Sequence, residues 1–241
     1  MGKSYFIWNG MDCRSMGVTL AGPVGIIRPE ERVKHVEIPG RSGDLTQTEG
    51  ENIFNSYIQT ATIQVRGGYR ARDVFKWLRG SGYVTFSAEP DRRQKARIIG
   101  AITLDRHSHN LDVWVGEMQF YCQPLKEQLA TRSDTISSSG TTVINAGDVD
   151  EKPRISMTAS GTSANIKINN RDDRDIVLTG LTSGHVYILD SEVMEMIDHT
   201  DSDTPVTEKT VGTFPILSPG NNAITGSGWS QLVIERRERF L

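Results

Sequence analysis

Seven residues between positions 190 and 203, namely Asp190, Glu192, Glu195, Asp198, His199, Asp201 and Asp203, form the densest group of candidate metal ligands in the chain. Carboxylates spaced two apart suit calcium, which takes an all-oxygen shell. The calcium-loop pattern also needs a Gly at the turn and a Glu closing a twelve-residue loop, and both are missing. The stretch therefore reads as a solvated loop between strands. His107 and His109 would share one face of a strand. Arg106, Ser108 and Asn110 around them describe a polar turn instead, and no third and fourth zinc ligand is close in sequence.

Nucleophilic chemistry fares no better. Arg41-Ser42-Gly43-Asp44 brings a hydroxyl near a carboxylate and a guanidinium, yet Ser42 lacks the Gly-x-Ser-x-Gly elbow and no His is placed to serve as its base. Gly40 and Gly43 are expected to shape that loop, with Arg41 and Asp44 holding it by hydrogen bonds to backbone or to a neighbour. Cys13 and Cys122 stand far apart with no Cys or His at ligand spacing, which excludes a metal knuckle or redox motif. Cys122 is in phase with Trp114, Met118 and Phe120 on the apolar side of an alternating run, so both thiols read as buried and structural. A disulfide between them would be out of place in a reducing compartment. Gly67-Gly68 is followed by Tyr69-Arg70 and not by Lys-Ser/Thr, so there is no phosphate loop. Arg92, Arg93, Lys95 and Arg97 make a basic cluster near a hairpin tip, but no aromatic interleaves with it, and Glu89 and Asp91 sit alongside. Such a cluster suits an acidic partner subunit better than nucleic acid. No catalytic residue, cofactor site or metal site is expected.

The elements that would carry these residues are mostly strands. From Tyr57 to Val65, Tyr83 to Ala88, Lys95 to Thr103 and Leu111 to Cys122, apolar residues alternate with polar ones at the period of a half-buried strand. One segment departs from this. Ala71, Val74, Phe75 and Leu78 fall on one helical stripe, and Gly80 follows where a helix end commonly needs a left-handed residue, so a single short helix is expected on the sheet. Val84 to Ala88 and Ala96 to Ile102, joined by Glu89-Pro90-Asp91-Arg92-Arg93, read as a hairpin with a polar tip. After Pro124 the text turns polar, ending in Ser137-Ser138-Ser139-Gly140, which suits a connector or a long strand. Beyond it, Arg154 to Ala159, Ile166 and Ile168 before Asn169-Asn170-Arg171-Asp172, His185 to Leu189 and Gln231 to Glu235 read as short strands, with Glu192 to Ile197 ambiguous.

Composition supports two units. At 241 residues the chain can bury a proper core, and its hydrophobic share of 37% and charged share of 24% are those of an ordinary globular protein. Residues 1–125 carry 16 Lys and Arg against 13 Asp and Glu, a net of +3, while the remainder carries 11 against 17, a net of −6. A boundary is expected near residue 125, giving domains 1–125 and 126–241. No apolar run approaches the ~20 residues that cross a bilayer. Met1 to Asn9 lacks the layout of a secretory signal, so assembly in a cytoplasm is expected.

Four motifs give these strands a family resemblance. Ile38-Pro39-Gly40-Arg41-Ser42-Gly43-Asp44-Leu45, then Trp77-Leu78-Arg79-Gly80-Ser81-Gly82, then Phe86 to Asp91 as Phe-x-x-Glu-Pro-Asp, and finally Phe214-Pro215-Ile216-Leu217-Ser218-Pro219-Gly220-Asn221-Asn222 occur in this order over nearly the whole chain. In type and order they resemble the distal tail proteins of long-tailed bacteriophages and prophages. At the last of them Pro219 and Gly220 would set a turn, Asn221 or Asn222 would bond the backbone, and Ile224 would re-enter the core.

The resemblance implies a mainly β protein: an N-terminal antiparallel β-sandwich with one short helix and a hairpin arm, followed by a C-terminal galectin-like jelly-roll β-sandwich. It implies a structural hub at the virion tail tip, not an enzyme: a homohexameric ring joining the tail tube and tape-measure proteins to the tail-associated lysin or receptor-binding protein, with no membrane insertion and no nucleic-acid binding. By exposure and analogy, Arg41, Ser42, Asp44, Arg92, Arg93, Lys95 and Arg97 are the candidate subunit-interface residues. Beside relatives that the resemblance describes as carrying inserted carbohydrate-binding modules, 241 residues are expected to leave no room for another module, so the chain looks like the plain architectural form. The alternative is a carbohydrate-binding module for host-surface glycans, which would need an exposed aromatic platform; Tyr187, Phe214, Trp229 and Phe240 are the aromatics available to the second unit for it. A cell-wall hydrolase lacks any acid/base pair or zinc signature.

Overall fold

The computed structural model describes residues 4–48, 50, 53–108, 112–169 and 171–241. It divides into one unit of Met1–Leu129 with Leu241 and a second of Ala130–Phe240. The first contains β1 (Phe6–Trp8), β2 (Met11–Asp12), β3 (Val18–Leu20), β4 (Val33–Val36), β5 (Leu45–Thr48), β6 (Tyr57–Arg66), the helix α1 (Ala71–Trp77), β7 (Ser81–Phe86), β8 (Arg92–Ser108) and β9 (Val113–Gln128). All of its strand pairs are antiparallel, and the main sheet runs in the order β2-β1-β7-β8-β9-β6-β3.

The period of two in β6 is what fixes its register. Ala61, Ile63 and Val65 are buried, whereas Thr60, Thr62 and Arg66, in the opposite phase, are exposed. A slip of one residue would reverse that assignment. The sheet curls so that Phe6 and Trp8 of β1, Val18 of β3, and Met118, Phe120 and Cys122 of β9 share one core with Val74 and Leu78 of the helical segment. Phe120 is its hub: the rings of Phe6, Trp8 and Phe86 lie 5.8, 5.6 and 5.5 Å from it, and Trp77 stacks on Phe6 at 5.6 Å. Each such pair adds about 0.5–1.5 kcal/mol beyond burial of its area. This is the physical content of two of the sequence motifs, since Trp77 and Phe86 are their leading aromatics. Gly80, two residues past the helix C-cap, has φ +77°, as expected of a left-handed residue there.

The central strands differ from the sequence expectation in length. β8 begins at Arg92, and the tip of its hairpin with β7 is confined to 87–91, because Arg92 and Arg93 pair with Gln128 and Glu127 of a β9 that runs past Pro124. The register shifts between Gln94 and Ala96 and again between Ile99 and Thr103, where Gly100 takes φ +72°. These are β-bulges, which absorb extra residues and bend a long ribbon. A Cβ at Gly116 would collide with the Thr103 carbonyl, so the second bulge closes onto a glycine.

The second unit comprises β10 (Arg132–Ile136), β11 (Thr141–Asn145), β12 (Arg154–Ala159), β13 (Ser163–Ile168), β14 (Asp175–Thr179), β15 (Val186–Asp190), β16 (Glu195–Asp198), β17 (Thr204–Pro205), β18 (Thr210–Gly212), β19 (Gly220–Ser227), β20 (Trp229–Arg236) and β21 (Arg239–Phe240). Two antiparallel sheets, β10-β20-β12-β15-β16-β17 and β11-β19-β13-β14-β18, make the jelly-roll sandwich. Their inner faces meet in a core that includes Ile155, Met157, Ile166, Ile168, Ile176, Leu178, Leu189, Ile224 and Leu232. The ambiguous stretch 192–197 resolves into a turn followed by β16, and the polar connector becomes β10 flanked by loops.

Candidate assembly surface

β4 and β5 form a two-stranded hairpin of their own, with Val33↔Thr48 and Val36↔Leu45 in register. Its base stays antiparallel through the Glu31↔Phe54 bridge, where Arg32 N–H donates to the Ile53 carbonyl (2.8 Å) and Asn55 N–H to that of Glu30 (2.7 Å). Arg41, Ser42 and Asp44 lie at the tip, exposed, and Ile38 and Leu45 beside them are 38% and 45% exposed. The tip is held differently from expectation. Arg41 N–H donates to the Ile38 carbonyl (3.1 Å), Gly40 and Gly43 both take φ +81°, and among the described residues no hydrogen bond or ion pair of the Arg41 or Asp44 side chain is formed. Glycine geometry suffices for the path, which leaves both charges to solvent. Ser42 likewise makes no hydrogen bond to a histidine among the described residues; His35, the nearest in sequence, lies 3.4 Å from Thr46 Oγ1 through its Nδ1.

The second group of candidates separates into two pairs. Arg92 bonds Glu89 (3.1 Å), and Arg93 bonds Glu127 (3.0 Å) while its guanidinium lies 4.0 Å from the centre of the Tyr83 ring. Lys95 and Arg97 are exposed. The hairpin and the β8 cations are thus not gathered into one site by any contact among the described residues.

A role invisible in the sequence belongs to Glu89. Its other oxygen receives Lys126 Nζ at 2.7 Å, and Lys126 is 5% exposed. The Phe-x-x-Glu-Pro-Asp motif therefore places an aromatic in the core and a carboxylate against a buried cation. Gln94, 4% exposed, completes the neighbourhood by donating to the Tyr57 hydroxyl (2.8 Å) and the Gln123 carbonyl (2.6 Å). Burial pushes the Tyr57 hydroxyl and the Cys122 thiol each up to about 12, and it raises Cys13 as well. Both cysteines are free and buried, and a protonated thiol is neither nucleophile nor ligand.

The acidic stretch 190–203 works as turn chemistry. Asp190 Oδ1 accepts from the N–H groups of Glu192 (3.0 Å) and Val193 (3.4 Å), and Asp198 Oδ1 accepts from those of Thr200 (3.1 Å) and Asp201 (3.2 Å). Asp198 Oδ2 lies 2.8 Å from His185 Nδ1. Burial opposes ionisation of Asp198, but the bonds from His185 and Asp201 prevail and hold the carboxyl below its ordinary value. Among the described residues no three His, Cys, Asp or Glu side chains come together in a way that would hold a metal. His107 is exposed at the end of β8, and His109, like Asn110, Leu111 and Asn170, lies outside the described residues.

The Pro-Gly-Asn-Asn turn is held by Asn222 and not by the exposed Asn221. Asn222 is fully buried, its Nδ2 donates to the carbonyls of Ser218 (2.7 Å) and Gly220 (3.0 Å), and its Oδ1 accepts from Ser218 N–H (3.0 Å) and Asn169 Nδ2 (3.2 Å). Leu217 and Ile224 on either side are buried in the core. The aromatics that a sugar platform would require are core or half-buried: Tyr187 is 0% and Trp229 9% exposed, and Phe214 packs against the same core. Trp229 Nε1 donates to the Asn165 carbonyl at 3.2 Å. Among the described residues no helix is long and apolar enough to cross a membrane.

No family model and no curated protein matches the chain. Among solved structures it is similar over 100% of both chains, at TM-score 0.81 and 16% identity, to the SPP1 Dit (gp 19.1) protein, described as a paradigm of the hub adsorption apparatus in phages that infect Gram-positive hosts. A chain of the phage p2 baseplate in its activated conformation aligns over 98% of each chain at TM-score 0.48 and 8% identity, too low to add to the argument. The fold, mainly β and antiparallel, is that of SPP1 Dit.

Proposed function

We propose that this chain is a structural hub of a phage tail tip, a ring of six copies that joins the tail tube to the host-recognition apparatus. The observation that carries the reading is the full-length likeness to SPP1 Dit, which spans both units and the hairpin between β3 and β6. The first unit forms the ring through heterologous side-to-side contacts, which give a closed ring when the rotation between copies closes. The β4–β5 tip, where the side chains of Arg41, Ser42 and Asp44 make no hydrogen bond or ion pair among the described residues, and the exposed Lys95 and Arg97 are the contact groups offered to a neighbour or a tail partner. Arg92 and Arg93 act mainly inside their own chain, through Glu89 and Glu127. The role is architectural and not enzymatic. The tail tube protein, the tape-measure protein and the lysin or receptor-binding protein are its partners, and the virion tail tip, reached after assembly in the host cytoplasm, is its location.

Negative-stain images of the concentrated protein test this. Class averages with six-fold symmetry and a central hole are expected. Particles without rotational symmetry, in the presence of the tail tube protein as well as alone, would overturn the ring.

A further inference from the structure

One surface of the first unit lies outside the proposed ring contacts. Residues 69–79 hold four cations, Arg70, Arg72, Lys76 and Arg79, against the one carboxylate of Asp73. Arg72, Lys76 and Arg79 are exposed, and among the described residues none has a carboxylate within 4.0 Å. They surround the ring of Phe75, itself 39% exposed although it stands on the apolar stripe of α1. Phe75 continues into a groove of about 290 Å³ whose floor and walls include Leu78, Ile98, Gly100 and Ile102.

That groove runs beside an open sheet edge. β7 pairs with β8 only from Val84↔Gln94 to Ser81↔Arg97, and Ile98 N–H then donates to the Gly80 carbonyl at 3.0 Å. From there to Ser108, β9 is the only strand beside β8 among the described residues. A long open edge presents a row of N–H and C=O groups that only another backbone complements, and natural proteins usually shorten, charge or cover such edges. The bulge at Gly100 interrupts this one without hiding it, and Arg79 lines the groove at its start, next to Arg72 and Lys76 around Phe75.

We propose that the α1–β8 groove receives an extended acidic segment of another protein. The segment adds as a strand to the open edge of β8, seats an apolar side chain beside Phe75, and sets carboxylates against Arg72, Lys76 and Arg79. Strand addition supplies affinity through main-chain bonds, while pockets and charges select the sequence. The inference does not depend on the ring.

The test uses the full chain and a fluorescein-labelled peptide, Glu-Val-Glu-Phe-Glu-Val-Glu, read by fluorescence polarisation at low salt. The acidic peptide binds, and its lysine counterpart binds at least tenfold more weakly. N-methylation of alternate peptide amides abolishes binding, and Lys76→Glu with Arg79→Glu weakens it at least tenfold while thermal unfolding stays as in the parent. Phe75→Ser also weakens it. Absence of binding, equal binding of the acidic and basic peptides, or undiminished binding by the charge-reversed chain would overturn the proposal. So would displacement of the peptide by oligo(dT), which would assign the surface to nucleic acid. A change in the mass of the assembly on charge reversal would assign it to a second copy.

Discussion

Replacing Asn222 by alanine removes four hydrogen bonds at once from the turn that leads into β19. Two of them satisfy the N–H and C=O of Ser218, and the side chain is 0% exposed, so water does not replace it without rearrangement. A net hydrogen bond is worth about 0.5–1.5 kcal/mol, and a buried polar group left unpaired costs about 1–3 kcal/mol. Ser218 is only half-buried, which puts the sum at about 2–4 kcal/mol. For a unit of roughly 110 residues that is a fall in Tm of roughly 10–20 °C. Asn221, exposed on the same strand, is the internal control: Asn221→Ala should stay within about 0.5 kcal/mol. Scanning calorimetry of the two variants reads the difference directly, and the transition of the first unit serves as a reference in the same scan. Equal shifts for the two alanine variants would refute the assignment of the turn to Asn222.

Three further outcomes follow from the geometry. Glu89→Gln leaves the buried Lys126 without its carboxylate and should cost the first unit about 2 kcal/mol, less than the about 3–5 kcal/mol of a fully buried broken pair because Glu89 is partly exposed; denaturant unfolding should show the loss, and adding Lys126→Met should recover most of it. Asp198 is held below its ordinary carboxyl value, so it stabilises the fold above about pH 4 and that contribution is lost as the pH falls through its folded value; Asp198→Asn should lower Tm at pH 7, with the gap narrowing as the pH falls below about 4, whereas a pH-independent gap would contradict the lowered carboxyl. Cys13 and Cys122 should resist maleimide in the native protein and label fully in denaturant, since burial raises both thiols; rapid native labelling of either would place it at the surface.

The elements legible in the sequence are those in which one face alone is buried. β6 and β12 alternate because solvent takes every second residue, and α1 shows its stripe because it lies on a core. β4 and β5 carry no such pattern, since neither buries a residue fully on either face, so that hairpin is readable only as a glycine-shaped loop. β1 and β3, three residues each, are too short to show a period although they bury Phe6, Trp8 and Val18. The extent of β8 is hidden by its bulges, which break the period of two between Gln94 and Ala96 and again around Gly100. Charge misleads where burial is decisive. Arg92 and Arg93 look like free surface cations in the sequence but face Glu89 and Glu127. Arg236, in the charged run Arg236-Arg237-Glu238-Arg239, has a fully buried side chain that bonds Asp134 and the Ile144 carbonyl. Partners distant in sequence, 92 residues away for Ile144, leave no local signal of such pairs.

The central claim is a ring of six, and the mass of the purified chain by light scattering over a range of concentrations tests it most directly. Six copies of a 26.8 kDa chain give a closed particle of about 161 kDa, and the account predicts that species at high concentration or on addition of the tail tube protein. A mass that stays at 26.8 kDa under both conditions would contradict it.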